Sequence, residues 1–590
     1  MDRFLGKVMR EPEEKQFITH DGTALFYRHW PATAGRADRA IVLFHRGHEH
    51  SGRFQHVVDE LELPQFAMCA WDARGHGRSP GARGDSPGFA CSVKDVDTFV
   101  RHVASEYRIP IGNIVVIAQS VGAVLASTWA HDYAPQVRGL ILTSPAFRVK
   151  LYFPFALAGL RLMYRLRGNF FINSYVKAKF LTHDPERIRS YETDPLITRA
   201  ISVRVLLGLF DASQRVVADA AAIQLPVQLL TSDSDWVVHQ KPQQRFYERL
   251  SSAVKEMHVL PGFFHDTLGE KERARAFERI RSFIDRLYSQ PPAAPNPLQA
   301  HQQGYTRDEE VRLVQPLPAL SLKNLRFALL RASMRTLGRL SEGIRLGMRT
   351  GFDSGSTLDY VYRNQAAGRT LIGRMIDRNY LDSIGWRSIR VRKAHLEQAI
   401  LAAAEHLRAA GQPLRIADIA AGHGRYVLEA VQNLPARPDS VLLRDYSDLN
   451  VRDGTALIAE LRLSEIARFV KADAFDEGGV AAITPRPTLA IVSGLYELFP
   501  DNTRVLASLR GLSRAVTPGG YLVYTGQPWH PQLELIARTL TSHRDGAAWI
   551  MRRRTQAELD QLVEHAGFAK LEQWVDEWGI FTVSLAVRAS

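Results

Sequence analysis

Ser120 stands among small residues, Ala118-Gln119-Ser120-Val121-Gly122, directly after the apolar run Ile114 to Ile117. A serine hydroxyl attacks poorly unless a base takes its proton, and the base needs a carboxylate to fix its tautomer and stabilise its charged form. Both partners occur downstream, each at the end of a β-rich run. Val227 to Thr231 leads into Ser232-Asp233-Ser234-Asp235, and Glu256 to Leu260 leads into Pro261-Gly262-Phe263-Phe264-His265. Asp233 and Asp235 compete for the acid role. The chemistry indicated is nucleophilic attack on an ester-like carbonyl. A second set lies far beyond, where Arg415 to Ile419 runs into Asp418-Ile419-Ala420-Ala421-Gly422-His423-Gly424. A strand that ends in an acid and enters a glycine-rich turn lets backbone approach a nucleotide cofactor. Asp445 ends the next β-rich run, where a carboxylate could hold ribose hydroxyls. Asp473 and Ala474 follow the third run.

The elements that must position these residues are legible as two α/β alternations. From Phe17 to about Tyr288, short β-rich runs (Ala40 to Phe44, Phe66 to Trp71, Asn113 to Ile117, Gly139 to Thr143, Pro226 to Thr231) alternate with helical stretches, the pattern of a mostly parallel sheet with crossover helices. The order serine, acid, histidine is that of α/β-hydrolases. Residues Ser289 to Gly304, rich in proline and ending in a glutamine-rich tail, read as an extended linker, taken as 289–313. A helical region, 314–400, comes next, and a second alternation over 401–590 carries the runs Arg415 to Ile419, Ser440 to Leu443, Arg468 to Val470, Leu489 to Ser493, Tyr521 to Thr525 and Phe581 to Val587. The two sheets carry different loop chemistry, so the chain is not an internal repeat.

Bulk properties agree with two folded domains. A chain of 590 residues exceeds what one hydrophobic core serves, and 45% apolar with 23% charged residues is ordinary for a globular protein. Cys69 and Cys91 are the two cysteines, too few for a disulfide framework or a four-cysteine zinc site, so no metal is expected and a reducing compartment is. The charged start, Met1 to Lys15, does not read as a signal peptide, and no run reaches the roughly 18 apolar residues of a spanning helix. The expectation is a cytoplasmic protein. A net charge of +13 implies an anionic partner. An acidic membrane surface leads nucleic acid, because no zinc finger, RNP motif or recognition helix is present. Two segments favour a bilayer: the apolar run Leu151 to Met163 with Arg161, Arg165 and Arg167, and the stretch Lys323 to Arg349, where Arg331, Arg335 and Arg339 fall at spacings of four. A further basic cluster, Asp377 to Lys393, could clamp an acidic headgroup, since the guanidinium fork matches phosphate geometry.

Residues 17–288 resemble the monoacylglycerol lipase and lysophospholipase group of α/β-hydrolases. His45-Arg46-Gly47-His48-Glu49-His50-Ser51-Gly52-Arg53-Phe54 is similar to that group's HGxGEHSGRY loop, Asp72 to Ser79 to its DxRGHGxS turn, Leu181 to Leu196 to its cap segment, and Ser232 to Asp235 to its GxxD acid turn. The resemblance implies Ser120 as nucleophile, Asp235 as acid, His265 as base, a helical cap over about 145–222, and an oxyanion hole from the backbone N–H groups of Gly47 and Val121. Ala118 replaces the first elbow glycine, and Arg46 replaces a glycine beside the hole. Residues 400–590 resemble class I S-adenosylmethionine methyltransferases through Asp418 to Gly424, Lys471-Ala472-Asp473-Ala474, Ser493 to Phe499, Thr517-Pro518-Gly519-Gly520 and Thr555 to Phe568. That match implies S-adenosyl-L-methionine bound by Asp418, Ala420, Gly422, Gly424, Asp445, Asp473 and Ala474 in a Rossmann-like fold with a helical N-terminal extension. Tyr496, Glu497 and His530 lie where the acceptor should arrive.

The expectation is thus a bifunctional, lipid-directed enzyme, with ester hydrolysis at Ser120 and methyl transfer to a lipid-related acceptor. A second reading, motivated by Arg46, keeps the methyltransferase active and makes the hydrolase fold a lipid-binding module.

Overall fold

The computed structural model describes residues 9–153, 155–174, 176–291 and 296–589. The chain divides into two compact units, Met1–Pro295 and Asn296–Ser590.

The first unit is built on strands β1 (Glu13–Ile18), β2 (Ala24–Trp30), β3 (Ala40–Phe44), β4 (Ala67–Trp71), β5 (Ile114–Gln119) and β6 (Gly139–Thr143), then a short pair, β7 (Phe171–Asn173) and β8 (Ala200–Ser202), and finally β9 (Val227–Ser232) and β10 (Lys255–Leu260). The main sheet runs β1-β2-β4-β3-β5-β6-β9-β10, parallel from β4 to β10, with β1 and β2 as an antiparallel edge. Every residue of β3, β4, β5 and β6 is buried. Continuous apolar runs are what a parallel sheet covered by helices on both faces requires. Between β6 and β9 the cap carries helices Ala156–Arg167, Pro185–Thr193 and Val203–Ala218 and the antiparallel β7–β8 pair.

The second unit opens with helices, among them Tyr305–Val314, Leu322–Thr336, Glu342–Thr350, Gly355–Arg363, Leu371–Leu381 and the long Ile384–Ala409. Its sheet comprises β11 (Arg415–Asp418), β12 (Ser440–Asp445), β13 (Ala467–Lys471), β14 (Leu489–Val492), β15 (Tyr521–Gly526), β16 (Phe568–Val575) and β17 (Thr582–Arg588), in the order β13-β12-β11-β14-β15-β17-β16. β11 to β15 are mutually parallel, and β17 runs antiparallel to both neighbours. Strand order therefore reverses between β11 and β14, the switch point above which α/β sheets place their ligands.

Two features differ from expectation. The alternation in Phe568–Val575 is a strand, β16, directly after the closing helix Gln556–His565. The stretch expected as linker is not extended from Asn296 onward: it forms a turn at Pro297–Gln299 and the helix Tyr305–Val314. Fully buried Arg552 is the physical reason. Its guanidinium donates to Thr306 Oγ1 (3.0 Å) and Asn502 Oδ1 (2.8 Å) and pairs with buried Glu558, while Asn502 Nδ2 donates to Leu298 O (2.9 Å). A proline-rich sequence gives no periodic signal for this, because the stabilising charge lies some 250 residues away.

Removing one partner of such a pair strands the other charge. Glu558→Gln should lower the stability of the second unit by about 3–5 kcal/mol, measured by urea unfolding; an unchanged midpoint would contradict the role given to Arg552.

Candidate active sites

Ser120 occupies the turn between β5 and the helix Val121–Tyr133, with φ +54° and ψ −111°. Such a backbone is strained for an L-residue and lifts the hydroxyl out of the strand end. The elbow is tight: a Cβ on Gly122 would stand 2.6 Å from His45 O and 2.7 Å from Phe44 O. Ala118, inside fully buried β5, is accommodated where the family has glycine. His265 Nε2 lies 2.8 Å from Ser120 Oγ, and its Nδ1 lies 2.8 Å from Asp235 Oδ2. The other oxygen of Asp235 accepts N–H bonds from Val237 (2.7 Å) and Val238 (3.0 Å). Burial works to raise the pKa of Asp235, yet His265 and these two N–H groups outweigh it and hold the carboxyl below its ordinary value. Asp233 is exposed and accepts from Gly262 N (2.7 Å), so of the two acids it is Asp235 that the fold brings to His265. Together the three side chains can activate a hydroxyl for acyl transfer.

Gly47 and Val121 flank the serine, close enough that a Cβ on Gly47 would stand 3.2 Å from Val121 Cγ2. Arg46 does not intrude on them. Its guanidinium turns away into a buried cluster, donating to both oxygens of Glu49 (2.7 Å each) and to Asp266 Oδ2 (3.4 Å). Asp266 also accepts from Gln119 Nε2 (2.9 Å), so Arg46 ties the Gly47 loop to the neighbours of both Ser120 and His265. Burial opposes the charge on Asp266, but Arg46 and Arg187 hold its pKa well below the usual carboxylate range. The observation that motivated a catalytically silent hydrolase fold thereby becomes a brace for the site.

The cap helix Ala156–Arg167 buries none of its residues. Phe153, Phe155 and Leu166 are 80%, 88% and 77% exposed.

In the second unit Asp418, Asp445 and Asp473 come to one edge of the sheet, since β11, β12 and β13 are parallel and in register. Gly422 (φ +58°) and Gly424 (φ +75°) shape the loop, and a Cβ on Gly424 would stand 2.4 Å from Leu443 Cδ1. The backbone N–H of Gly422 donates to Asp445 Oδ2 (2.9 Å). Ala420 is half-buried, Ala474 is buried, and exposed Asp473 accepts from Phe475 N (2.8 Å). Asp418 departs from its expected place among the ligand-facing groups. It is fully buried, accepting from Tyr426 Oη and from Ala420 N (3.3 Å), and so supports the loop from beneath. Burial raises its pKa to about 7 despite those two donors. Tyr446, 74% exposed beside Asp445, went unremarked in the sequence and carries no motif signal, while Ser493, which opens the Ser493 to Phe499 segment, was not assigned a role although its buried Oγ has no hydrogen-bond partner. Of the expected acceptor residues, Tyr496 is buried and donates to Ser508 Oγ (3.0 Å), while Glu497 and His530 border an apolar cavity of about 290 Å³ over the ends of β14 and β15.

A family model described as "Putative methyltransferase" matches residues 280–588, and one described as "Serine aminopeptidase, S33" matches residues 35–272. An Escherichia coli protein with the name "Uncharacterized protein YnbC" is 58% identical over 98% of this chain and 99% of its own. Monoacylglycerol lipase of Mycolicibacterium smegmatis is 26% identical over 46% of this chain and 96% of its own, and monoglyceride lipase of Homo sapiens is 26% identical over 42% and 82%. Among solved structures, monoacylglycerol lipase of Paleococcus ferrophilus covers 47% of this chain and 99% of its own at 24% identity, with a TM-score of 0.39.

The protonated Asp418 makes a prediction about stability. Its folded pKa of about 7 lies above its unfolded value, so between pH 4 and 7 the unfolded chain releases a proton that the folded one keeps. Stability from this group falls as pH rises through that window, by up to about 1.4 kcal/mol per unit. Urea unfolding between pH 4.5 and 7 should show a shallower decline for Asp418→Asn than for wild type; parallel slopes would refute the burial argument.

Proposed function

Because the chain belongs to this methyltransferase family, we propose that it is a bifunctional enzyme, a serine hydrolase of acylglycerol or lysophospholipid-like esters joined to an S-adenosyl-L-methionine-dependent methyltransferase with a lipid-related acceptor. The observation that carries the hydrolase half is the unbroken line from Asp235 through His265 to Ser120. In this reading Ser120 Oγ attacks the ester carbonyl while His265 Nε2 takes its proton, and Asp235 stabilises the imidazolium. Backbone N–H groups of Gly47 and Val121 face the oxygen that becomes negative. His265 then returns the proton to the departing alcohol, and a water repeats the sequence to free the acid. An acyl-ester substrate is favoured by the relatives' activity, as their names give it, and by the exposed apolar cap.

For the methyl donor, the residues present fit. The backbone of Ala420, Gly422 and Gly424 would approach it closely, Asp445 would hold ribose hydroxyls, and Asp473 and Ala474 would border the purine. Tyr446 offers an open ring face beside them, and the unpartnered Ser493 hydroxyl suits a polar group of the donor. When bound, the donor supplies an electrophilic methyl on a sulfonium. No helix among the described residues is long and apolar enough to cross a membrane. The cap helix, and the helix Leu322–Thr336 with exposed Leu322, Leu325, Leu329 and Arg335, support peripheral contact with the anionic inner face of the cytoplasmic membrane. Arg331 is turned inward there, donating to Arg538 O (2.8 Å).

A fluorophosphonate probe should label Ser120 in the wild-type protein and not in His265→Ala, and Ser120→Ala should lower monoacylglycerol hydrolysis by about 10⁴-fold or more. Equal labelling of both proteins would refute the triad. Sedimentation with phosphatidylglycerol vesicles should retain wild type and release Phe153→Ser/Phe155→Ser/Leu166→Ser; equal retention would remove the cap from the membrane contact.

A further inference from the structure

The cavity over the carboxyl ends of β14 and β15 is walled by Met334, Ile344, Leu535, Ile536, Leu540 and Trp549, with the helical extension supplying the first two. Its volume, about 290 Å³, is at the lower end of small-molecule sites. The wall also carries Asp353, Asn379, Ser383, Glu497, Gln527 and Gln532, and two further polar groups on it are distinctive.

Arg392 is 2% exposed, yet poorly matched. Its contacts are long: 3.5 Å to Tyr362 Oη and 3.6 Å to Glu497 Oε1, with the ring of Phe581 4.7 Å away. Its buried Nε has no hydrogen-bond partner. A buried guanidinium normally meets a carboxylate or phosphate at hydrogen-bond distance, because desolvation of the charge is otherwise uncompensated. Here Gly494 leaves it room, since a Cβ there would stand 3.4 Å from both terminal nitrogens.

His530 is the second group. Its Nδ1 accepts the backbone N–H of Gln532 (3.0 Å), so the neutral ring carries its proton on Nε2. Gly385 keeps that nitrogen uncovered, a Cβ there standing 3.1 Å away. Burial lowers the pKa of His530 to about 4, which keeps the ring neutral. His530 is therefore a donor toward the cavity, not a base. Burial also raises the pKa of Glu497 against the pull of Arg392, and the two side chains stand 3.6 Å apart. The remaining acid on the wall, Asp353, is occupied by Ser542 Oγ and His543 N, both at 2.6 Å.

We infer that this cavity is the acceptor site of the methyltransferase and takes a single acyl chain ending in a carboxylate, the chain among the apolar walls and the carboxylate on Arg392 and the Nε2–H of His530. The inference rests on the methyltransferase reading and names its substrate class. A carboxylate needs no base to be methylated: its oxygen forms the O–CH₃ bond as the donor's C–S bond breaks, giving a methyl ester and a neutral thioether with no proton to remove. That suits a site whose histidine lone pair is engaged. Reactions that supply this acceptor are ester hydrolyses of the class proposed for the first unit.

The test is photolabelling of full-length Ser120→Ala protein with a diazirine-bearing dodecanoic acid, mapped by peptide mass spectrometry, alongside calorimetric titration with S-adenosylhomocysteine and 5′-methylthioadenosine. Adducts are expected on peptides holding Ile536 and Trp549, at least tenfold weaker in Arg392→Gln and His530→Phe, partly restored in Arg392→Lys, and at least tenfold weaker with the matching alcohol. S-adenosylhomocysteine should bind wild type, Arg392→Gln and His530→Phe alike, which also reports that the variants fold. Absence of cavity adducts, or equal labelling by the alcohol, would overturn the proposal. So would an Arg392→Gln protein that loses S-adenosylhomocysteine but keeps 5′-methylthioadenosine, because Arg392 would then hold the donor's own carboxylate. If S-adenosylhomocysteine fails on wild type while cavity labelling persists, the methyltransferase reading and the acceptor role both fall and carboxylate binding alone survives.

Discussion

Parallel strands deliver their carboxyl ends to one rim, and the chemistry of the first unit depends on that single constraint. Ser120, Asp235 and His265 lie at or just beyond the ends of β5, β9 and β10, and the imidazole of His265 meets each of the other two side chains at 2.8 Å. A hydroxyl so placed gains a base only if the imidazole is held in one tautomer, and that depends on a carboxylate kept ionised although buried. Asp235 achieves this through two backbone N–H bonds as well as through His265. The strained backbone at Ser120 and the bare Gly122 belong to the same arrangement, because any side chain there would strike the ends of β3.

The second unit uses the same rule at its switch point and adds buried charge to it. Asp418 is kept beneath the glycine loop, where burial favours its protonated form, while Asp445 is left half-buried at the rim. Arg552 with Glu558 fastens the proline-rich entry to the closing helix, a pair whose two charges are satisfied by each other and by several neutral groups. Arg392 contrasts with it. One buried guanidinium is fully matched inside the protein and the other is not, and the unmatched one faces an apolar cavity.

Strand ends and loop chemistry were readable in the sequence because they depend on local signals: apolar runs, glycines at turns, acids where runs stop. That is why the triad, the glycine loop and Asp445 fall where the motifs put them. What was not readable depended on partners distant in the chain. The sequence does not say that Arg46 would turn onto Glu49 and Asp266, that Asp418 would face Tyr426, or that Pro297 to Val314 would fold onto Arg552. Residue type alone does not separate Asp233 from Asp235; the resemblance pointed to Asp235, and it is Asp235 that meets His265 while Asp233 accepts from Gly262 N. β16 was missed because its alternation directly follows a helix, with Gly567 as the sole break.

The central claim, that the hydroxyl at the β5 rim is a working nucleophile, can be tested by trapping its product. Full-length protein mixed briefly with p-nitrophenyl decanoate and quenched in acid should carry one decanoyl group on the peptide that contains Ser120. The group should be absent from Asp235→Asn protein quenched at the same time. An acyl group on another residue, or none on the wild-type protein, would contradict the account.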